Sequence, residues 1–267
     1  MPKTFVCLST LLFAASVSCT VAPVQVQVLS YNIHHGEGVD GRFDLERQAA
    51  VILASGADLV ALQEVDVRTT RANGVDQAME LARLTGMFVA FGEAIAYADG
   101  SYGDAVLSRW PILRSENLSL PAAANHEKRV AVLIEVQVPH GPRIRFVGTH
   151  LDHTKDPADR IQQAQALNDA LLPATMPTLL VGDLNAQPAS QPMLVLLQAG
   201  WQAADESLAP TFPSVDPQRK IDWILQAQGF GTTLGQPQVM TAPVASDHCP
   251  LGAIWLLPRR LGKGSTD

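Results

Sequence analysis

Cysteine is nearly absent: the 267 residues hold only Cys7, Cys19 and Cys249. Three so scattered cannot build a disulfide framework or a thiolate zinc site. Basic residues are also in deficit, 19 Lys plus Arg against 26 Asp plus Glu, for a formal charge of −7. No cluster of Lys or Arg predicts the positive face with which proteins grip long nucleic acid. An acidic enzyme that meets a small or lipid phosphate through a metal stays open. Long apolar runs are missing too, since a membrane-spanning helix needs ~20 residues. The 19 Gly and 18 Pro are ordinary in number and follow no period, which excludes collagen-like repetition and disorder. What is there is a chain 47% hydrophobic, long enough to bury a sizeable core.

Residues 1–22 read as an address. Lys3 precedes an apolar stretch from Phe5 to Val17, and small residues lead to Pro23. That is the pattern of a secretory signal. Cleavage after Ala22 is one expected route. The other is lipidation at Cys19, because Ser16-Val17-Ser18-Cys19 is similar to a bacterial lipobox, with Ser16 where Leu is usual. Plain export to the periplasm or outside is preferred, with a lipid anchor through Cys19 as the other outcome. No Pro/Gly/Ser-rich linker divides the rest, so residues 23–267 are expected to form one domain.

Val24, Val26 and Val28 alternate with Gln25 and Gln27, a period-two strand leading into Asn32. After a Gly-rich loop, Asp44 is a plausible N-cap for a helix with a Leu45/Ala49/Ile52/Leu53 face, stopped by Gly56. Leu59 to Gln63 reads as a buried strand ending at Glu64, and Gln77 to Leu84 as a helix closed by Gly86. Short strands follow at 88–91 and 105–108. Val130–Val138 and Ile144–Thr149 form a hairpin across Pro139-His140-Gly141-Pro142. A helix begins at Pro157 as first helical residue and runs to about Leu171. Thr178–Val181 is a strand that ends in Gly182-Asp183. A short helix (193–198) and strands at 221–225 and 251–257 complete the order. A strand ending in a polar residue, a helix, and a strand ending in an acid occur as Asn32…Glu64 and again as His150…Asp183. Hairpins mixed with helical crossovers point to α/β sheets packed together with helices outside.

Polar residues avoid the ends of strongly apolar strands unless something needs them there. Here Asn32, Glu64, His150, Asp183 with Asn185, and Asp247 with His248 occupy such ends or the adjoining loops, and Asp222 interrupts Ile221-Asp222-Trp223-Ile224. Each alone has a structural explanation, as a turn, a cap or a solvated terminus. Their recurrence favours one shared site. Mg²⁺ prefers oxygen ligands, takes one or two protein carboxylates, and keeps waters that phosphate can displace. Glu64 and Asn32, with Asp247, suit that role. Asp183 and Asn185 can activate and position water. His150 and His248 can donate to non-bridging oxygens, with Asp222 orienting one imidazole.

The segments Ser30-Tyr31-Asn32-Ile33, Leu62-Gln63-Glu64-Val65, Gly148-Thr149-His150-Leu151, Gly182-Asp183-Leu184-Asn185, Ile221-Asp222-Trp223-Ile224 and Ser246-Asp247-His248-Cys249-Pro250 occur in that order. In this the chain resembles the endonuclease/exonuclease/phosphatase superfamily with the DNase I-like fold. The resemblance implies a four-layer α/β/β/α sandwich of two packed mixed sheets with outer helices. It implies Mg²⁺ or Mn²⁺ on Asn32, Glu64 and Asp247, and catalytic roles for His150, Asp183, Asn185, Asp222 and His248. His at position 150 looks like DNase I and the sphingomyelinases; apurinic endonucleases place Tyr there. Asp104 stands where many relatives carry Asn, and orienting His150 is one role for it.

Arg68, Arg71, Arg129 and Arg160 are candidates for substrate charge, each with an ordinary surface role as the alternative. His34-His35 can line the pocket mouth, although adjacent histidines chelate awkwardly from a strand. Trp201, Trp223 and Trp255 lie in apolar runs and read as core. The expectation is an exported, monomeric, metal-dependent phosphoesterase that hydrolyses a phosphodiester by direct attack of water. The substrate is a nucleic acid, a phospholipid or a small molecule, and no permanent protein partner is expected. The alternative is a non-catalytic binding module on the same scaffold.

Overall fold

The computed structural model describes residues 22–204 and 208–260, so the expected leader, with Cys7 and Cys19, lies outside the described residues. In chain order the first half gives β1 (Val24–Asn32), α1 (Leu45–Ser55), β2 (Leu59–Val67), α2 (Gln77–Thr85), β3 (Phe88–Tyr97), β4 (Gly100–Ser108) and β5 (Ile112–Leu120). Next come β6 (Arg129–Gln137), β7 (Arg143–His150), α3 (Ala158–Leu171), β8 (Thr178–Asp183), α4 (Gln191–Ala199) and β9 (Trp201–Ala203). The chain closes with β10 (Asp222–Ala227), β11 (Thr233–Leu234), β12 (Gln238–Val239) and β13 (Leu251–Leu257). No helix among the described residues is long and apolar enough to cross a membrane.

Two mixed sheets result. One runs β11-β13-β1-β2-β4-β3, with β12 also on β13; the other runs β5-β6-β7-β8-β10-β9. Strand alternation explains how they stack, because successive side chains leave opposite faces. Val26, Val28, Leu59, Ala61 and Val106 of the first sheet meet Val132, Ile134, Phe146, Leu179 and Val181 of the second in one buried cluster. The intervening residues point outward. Leu29, Tyr31, Val60 and Leu62 pack with Ala49 and Ile52 of α1 and Leu81 of α2. Val147 and Leu180 pack with Ala164 and Leu167 of α3 and Met193 and Leu196 of α4. The result is the expected α/β/β/α sandwich. Each large apolar side chain so buried contributes roughly 1.5–3 kcal/mol.

Local chemistry sets the helix ends. Asp44 Oδ1 accepts Arg47 N–H at 2.8 Å, and α1 stops where Gly56 takes φ 66°. The predicted α1 face needs one correction. Leu53 is 57% exposed, and the buried face is Gln48, Ala49 and Ile52. Gln48 earns its place by bonding Ile33 O at 2.8 Å and Ala245 O at 3.2 Å, which ties α1 to two loops near the strand ends. Pro157 is the residue before α3 rather than its first, and Asp156 Oδ1 caps Ala158 N at 3.0 Å.

Several strands differ from expectation in length or existence, the short β9, β11 and β12 among them. β3 and β4 extend well past the predicted segments because they form a long hairpin whose outer half is only partly buried. β5 is an edge strand, mostly exposed, and so lacks the apolar signature of a strand. β2 does not end at Glu64 but runs on to Val67. Its pairing with β4 slips between Leu62 and Val65, and Glu64 takes φ 60°. The extra residue is a bulge, the usual device for re-aiming a side chain.

The two predicted strand–helix–strand units are parallel crossovers, β1-α1-β2 and β7-α3-β8. Parallel pairing sets Asn32 beside Gln63 and His150 beside Asp183. Gly182 makes the second pairing possible, since a Cβ there would lie 1.8 Å from Thr149 O. Gly182→Ala is therefore expected to cost about 3 kcal/mol and to lower the urea midpoint at unchanged slope. Unaltered stability would show that β7 and β8 can spread apart.

Candidate active site

Parallel strands bring their C-terminal ends to one side, and antiparallel neighbours bring their starts there. β10 is antiparallel to β8, with Asp222 opposite Asp183, and β13 is antiparallel to β1, which sets residues 246–250 beside Asn32. Ser246 Oγ fixes that loop by donating to Asn32 O at 2.7 Å. Glu64, His150, Asp183, Asn185, Asp247 and His248 thus line one cleft of about 380 Å³. Asn32 and Asp222 lie beneath it, both buried.

At the centre sits Asp183, 1% exposed. Its Oδ2 lies 3.4 Å from His150 Nε2 and 3.6 Å from His248 Nε2, and its Oδ1 accepts Asn185 N–H at 2.9 Å. Burial raises the proton affinity of this carboxyl, as do the nearby Asp222 and Glu64, while His248 opposes them.

The two histidines are held in different states. Burial works against a proton on His248, but Asp222 and Asp183 outweigh it and push the imidazole up to about 10. Asp222 Oδ2 accepts from His248 Nδ1 at 3.0 Å, leaving the Nε2 proton facing the cleft. His150 goes the other way, driven well below the ordinary range by burial and by the Arg129 guanidinium. Arg129 Nη1 lies 3.2 Å from its Nδ1, and Asn185 Nδ2, which donates to Leu151 O, lies 3.0 Å from its Nε2. Donors on both sides disfavour a doubly protonated ring.

On the opposite wall, burial alone would raise Glu64. Hydrogen bonds from the His35 and Asn32 side chains and the charge on His248 hold its carboxyl well below the usual range instead. Asn32 donates to Glu64 Oε1 at 3.0 Å and to Asp183 Oδ2 at 3.3 Å, while its oxygen accepts His34 N–H at 3.0 Å. In this geometry Asn32 bridges two carboxylates, and a half-turn of the carboxamide is needed for its oxygen to face an ion. The donor set fits a hard divalent cation. Glu64 and Asp247 offer carboxylates to one cleft, and hard oxygen donors of this kind are what such an ion takes.

Asp104 is buried, and desolvation raises its carboxyl to about 8 against the pull of Arg129 and of hydrogen bonds with the His150 and Glu64 backbone. It therefore braces the two strands; the His150 ring itself is oriented by Arg129 and Asn185. Among the four arginine candidates, only Arg129 lines the cleft. It is 4% exposed, reaches His153 Nδ1 at 3.0 Å, and pairs with Glu127 at 2.9 Å. Arg160 is spent on Asp152 O and Thr154 O, Arg71 on Asp66, and Arg68 is exposed. His34 and His35 lie in a 3₁₀ turn, both at positive φ, so their rings approach to 4.3 Å, closer than a strand allows. Trp201, Trp223 and Trp255 are core, as expected.

Sequence reasoning missed Glu127, His153, Phe212 and Arg219 as cleft residues. His153 was within reach, three residues beyond His150. Phe212 and Arg219 come from the segment 208–221 ahead of β10, where no periodicity points anywhere.

Residues 29–248 match the family model described as the Endonuclease/Exonuclease/phosphatase family. The chain belongs to that family. Its members are phosphoesterases, nucleases and phosphatases among them. A relative in the family is the uncharacterized protein YbhP of Escherichia coli K12, 30% identical over 244 residues that span 85% of this chain and 94% of YbhP. The fold is shared with an endonuclease/exonuclease/phosphatase from Beutenbergia cavernae, at TM-score 0.74 and 23% identity, over 88% of this chain and 72% of that one. It is shared also with the mannosyl-6-phosphatase Bt3783 of Bacteroides thetaiotaomicron, at TM-score 0.70 and 16% identity, over 86% and 99% of the two chains.

Proposed function

We propose that this family member is an exported, divalent-metal-dependent phosphodiesterase that hydrolyses its substrate by direct attack of water. The observation that carries the reading is the Asp183 carboxylate between a neutral and a cationic imidazole, facing Glu64 across one cleft. Such a pairing of differently tuned titratable groups marks an acid/base site.

Glu64 and Asp247 would hold the ion, with Asn32 fixing the direction of Glu64. When bound, Mg²⁺ or Mn²⁺ supplies charge neutralisation and orientation of the phosphoryl group. Asp183 takes the proton from attacking water, which the Asn185 carboxamide helps to place. His248 donates its Nε2 proton toward a non-bridging oxygen, where negative charge grows. Asp222 keeps that imidazole charged. The neutral His150 ring, backed by Arg129, completes the cradle. A cleft of about 380 Å³ with two arginines, on a chain of net charge −7, favours a compact or lipid-type phosphodiester over long nucleic acid.

The test is hydrolysis of bis-p-nitrophenyl phosphate by the purified chain, with and without chelator. Turnover is expected only when Mg²⁺ or Mn²⁺ is restored. A rate indifferent to chelator overturns the metal assignment. Parallel arms with p-nitrophenyl phosphate, sphingomyelin vesicles and plasmid DNA rank the substrate classes. Faster plasmid cleavage, falling steeply with salt, would reverse the preference against nucleic acid.

A further inference from the structure

Behind the wall that carries Arg129, a second group of metal-ligating side chains has no part in the chemistry above. A ring nitrogen of His126 and carboxylate oxygens of Asp152 and Asp159 lie within 4.8 Å of one another. None of the three lines the cleft. Asp152 is 0% exposed and Asp159 3% exposed. Burying two carboxylates this close is costly unless each charge is answered.

The answers are incomplete. His126 Nδ1 meets Asp159 Oδ2 at 2.7 Å, and Ala123 N–H donates to both Asp159 oxygens at 3.2 and 3.1 Å. Asp152 Oδ2 accepts Thr154 N–H at 2.9 Å and the Thr154 hydroxyl, with Arg160 Nη1 3.6 Å away. Asp152 Oδ1, by contrast, is buried and has no hydrogen-bond partner. Asp152 thus keeps one buried oxygen open, and its carboxylate lies beside an imidazole and a second carboxylate.

We propose that His126, Asp152 and Asp159 form a second cation site, suited to Zn²⁺, which ties the loop of residues 121–128 to the loop after β7 and to the start of α3. One imidazole nitrogen and two carboxylate oxygens are a mixed set that Zn²⁺ accepts, with water as a fourth ligand. A dication balances the two carboxylates, with the ion taking the place of the proton between His126 and Asp159. Arg160 answers part of the Asp152 charge through Oδ2 while it donates to the carbonyls of Asp152 and Thr154, and Asp152 Oδ1 stays open. The consequence reaches the cleft. The 121–128 loop is mostly exposed, is held to α3 by Asp159 and by Gln163 Nε2 on Pro121 O at 3.0 Å, and carries Glu127, the partner of Arg129.

The test uses the Glu64→Ala chain, in which the cleft has lost its principal carboxylate, so that the reading does not depend on catalysis. Isothermal titration with Zn²⁺ is expected to give about one equivalent bound. Zn²⁺ should also raise the melting temperature. Adding His126→Ala, at a side chain 38% exposed, should abolish both effects while leaving the fold intact. Asp159→Asn, which keeps the shape of the side chain, should weaken binding at least tenfold. Zn²⁺ uptake unchanged by both substitutions, or no uptake by the Glu64→Ala chain, overturns the site without touching the phosphodiesterase reading.

Discussion

Asp183→Asn is expected to lower kcat by about 10²–10⁴-fold with KM little changed, the usual worth of a positioned general base. Asparagine keeps the oxygen that accepts Asn185 N–H, so the turn after β8 should survive. What it lacks is a site for the proton of the attacking water. The carboxyl of Asp183 is already raised by its burial and by the acids around it, which suits it to accept a proton near neutrality. Steady-state rates on bis-p-nitrophenyl phosphate, beside a thermal melt, decide the matter. A kcat within a few-fold of the parent in a folded variant would move the base elsewhere.

Glu64→Ala is expected to remove metal-dependent turnover, with a loss greater than about 100-fold, since even outer-shell partners of a metal cost 10–100-fold. The fold should persist at a modest cost. Glu64 already holds the left-handed backbone at this position, so alanine adds no new strain there, and the cost is the acceptor that Asn32 loses. Glu64→Gln separates the two effects, because it retains an acceptor for Asn32 but not the charge. Titration of rate against Mn²⁺ concentration is the measurement. A metal-activated rate that persists in both variants would mean that the ion sits on other ligands.

The strand-end residues were legible because they contradict their surroundings. Asn32, His150 and Asp183 each follow a run of residues that the core requires to be apolar, and no folding need explains a polar group there. The crossovers were legible for a related reason: strand, amphipathic helix and strand admit essentially one arrangement. What stayed hidden depended on partners distant in the chain. The bulge at Glu64 exists only relative to β4, so nothing within Leu59–Val67 announces it. Gln48 is buried because two loop carbonyls await it, and Leu53 is exposed although it is the more apolar. Arg129 looked like any arginine before a strand; its burial against His150 and His153 is a product of the hairpin and the loop beyond it. The protonation states of His150 and His248 were likewise invisible, since they are set by burial, Arg129 and Asp222 rather than by neighbours in sequence.

Among the described strands β13 comes latest in the chain, yet it lies against β1, the earliest. It is preceded directly by Asp247 and His248, whose loop is pinned to Asn32 by Ser246. A nascent chain therefore holds Glu64 and Asp183 long before it can hold the pair that finishes the cleft. Chains cut short before Asp247 are therefore expected to lack both this pair and the strand that flanks β1.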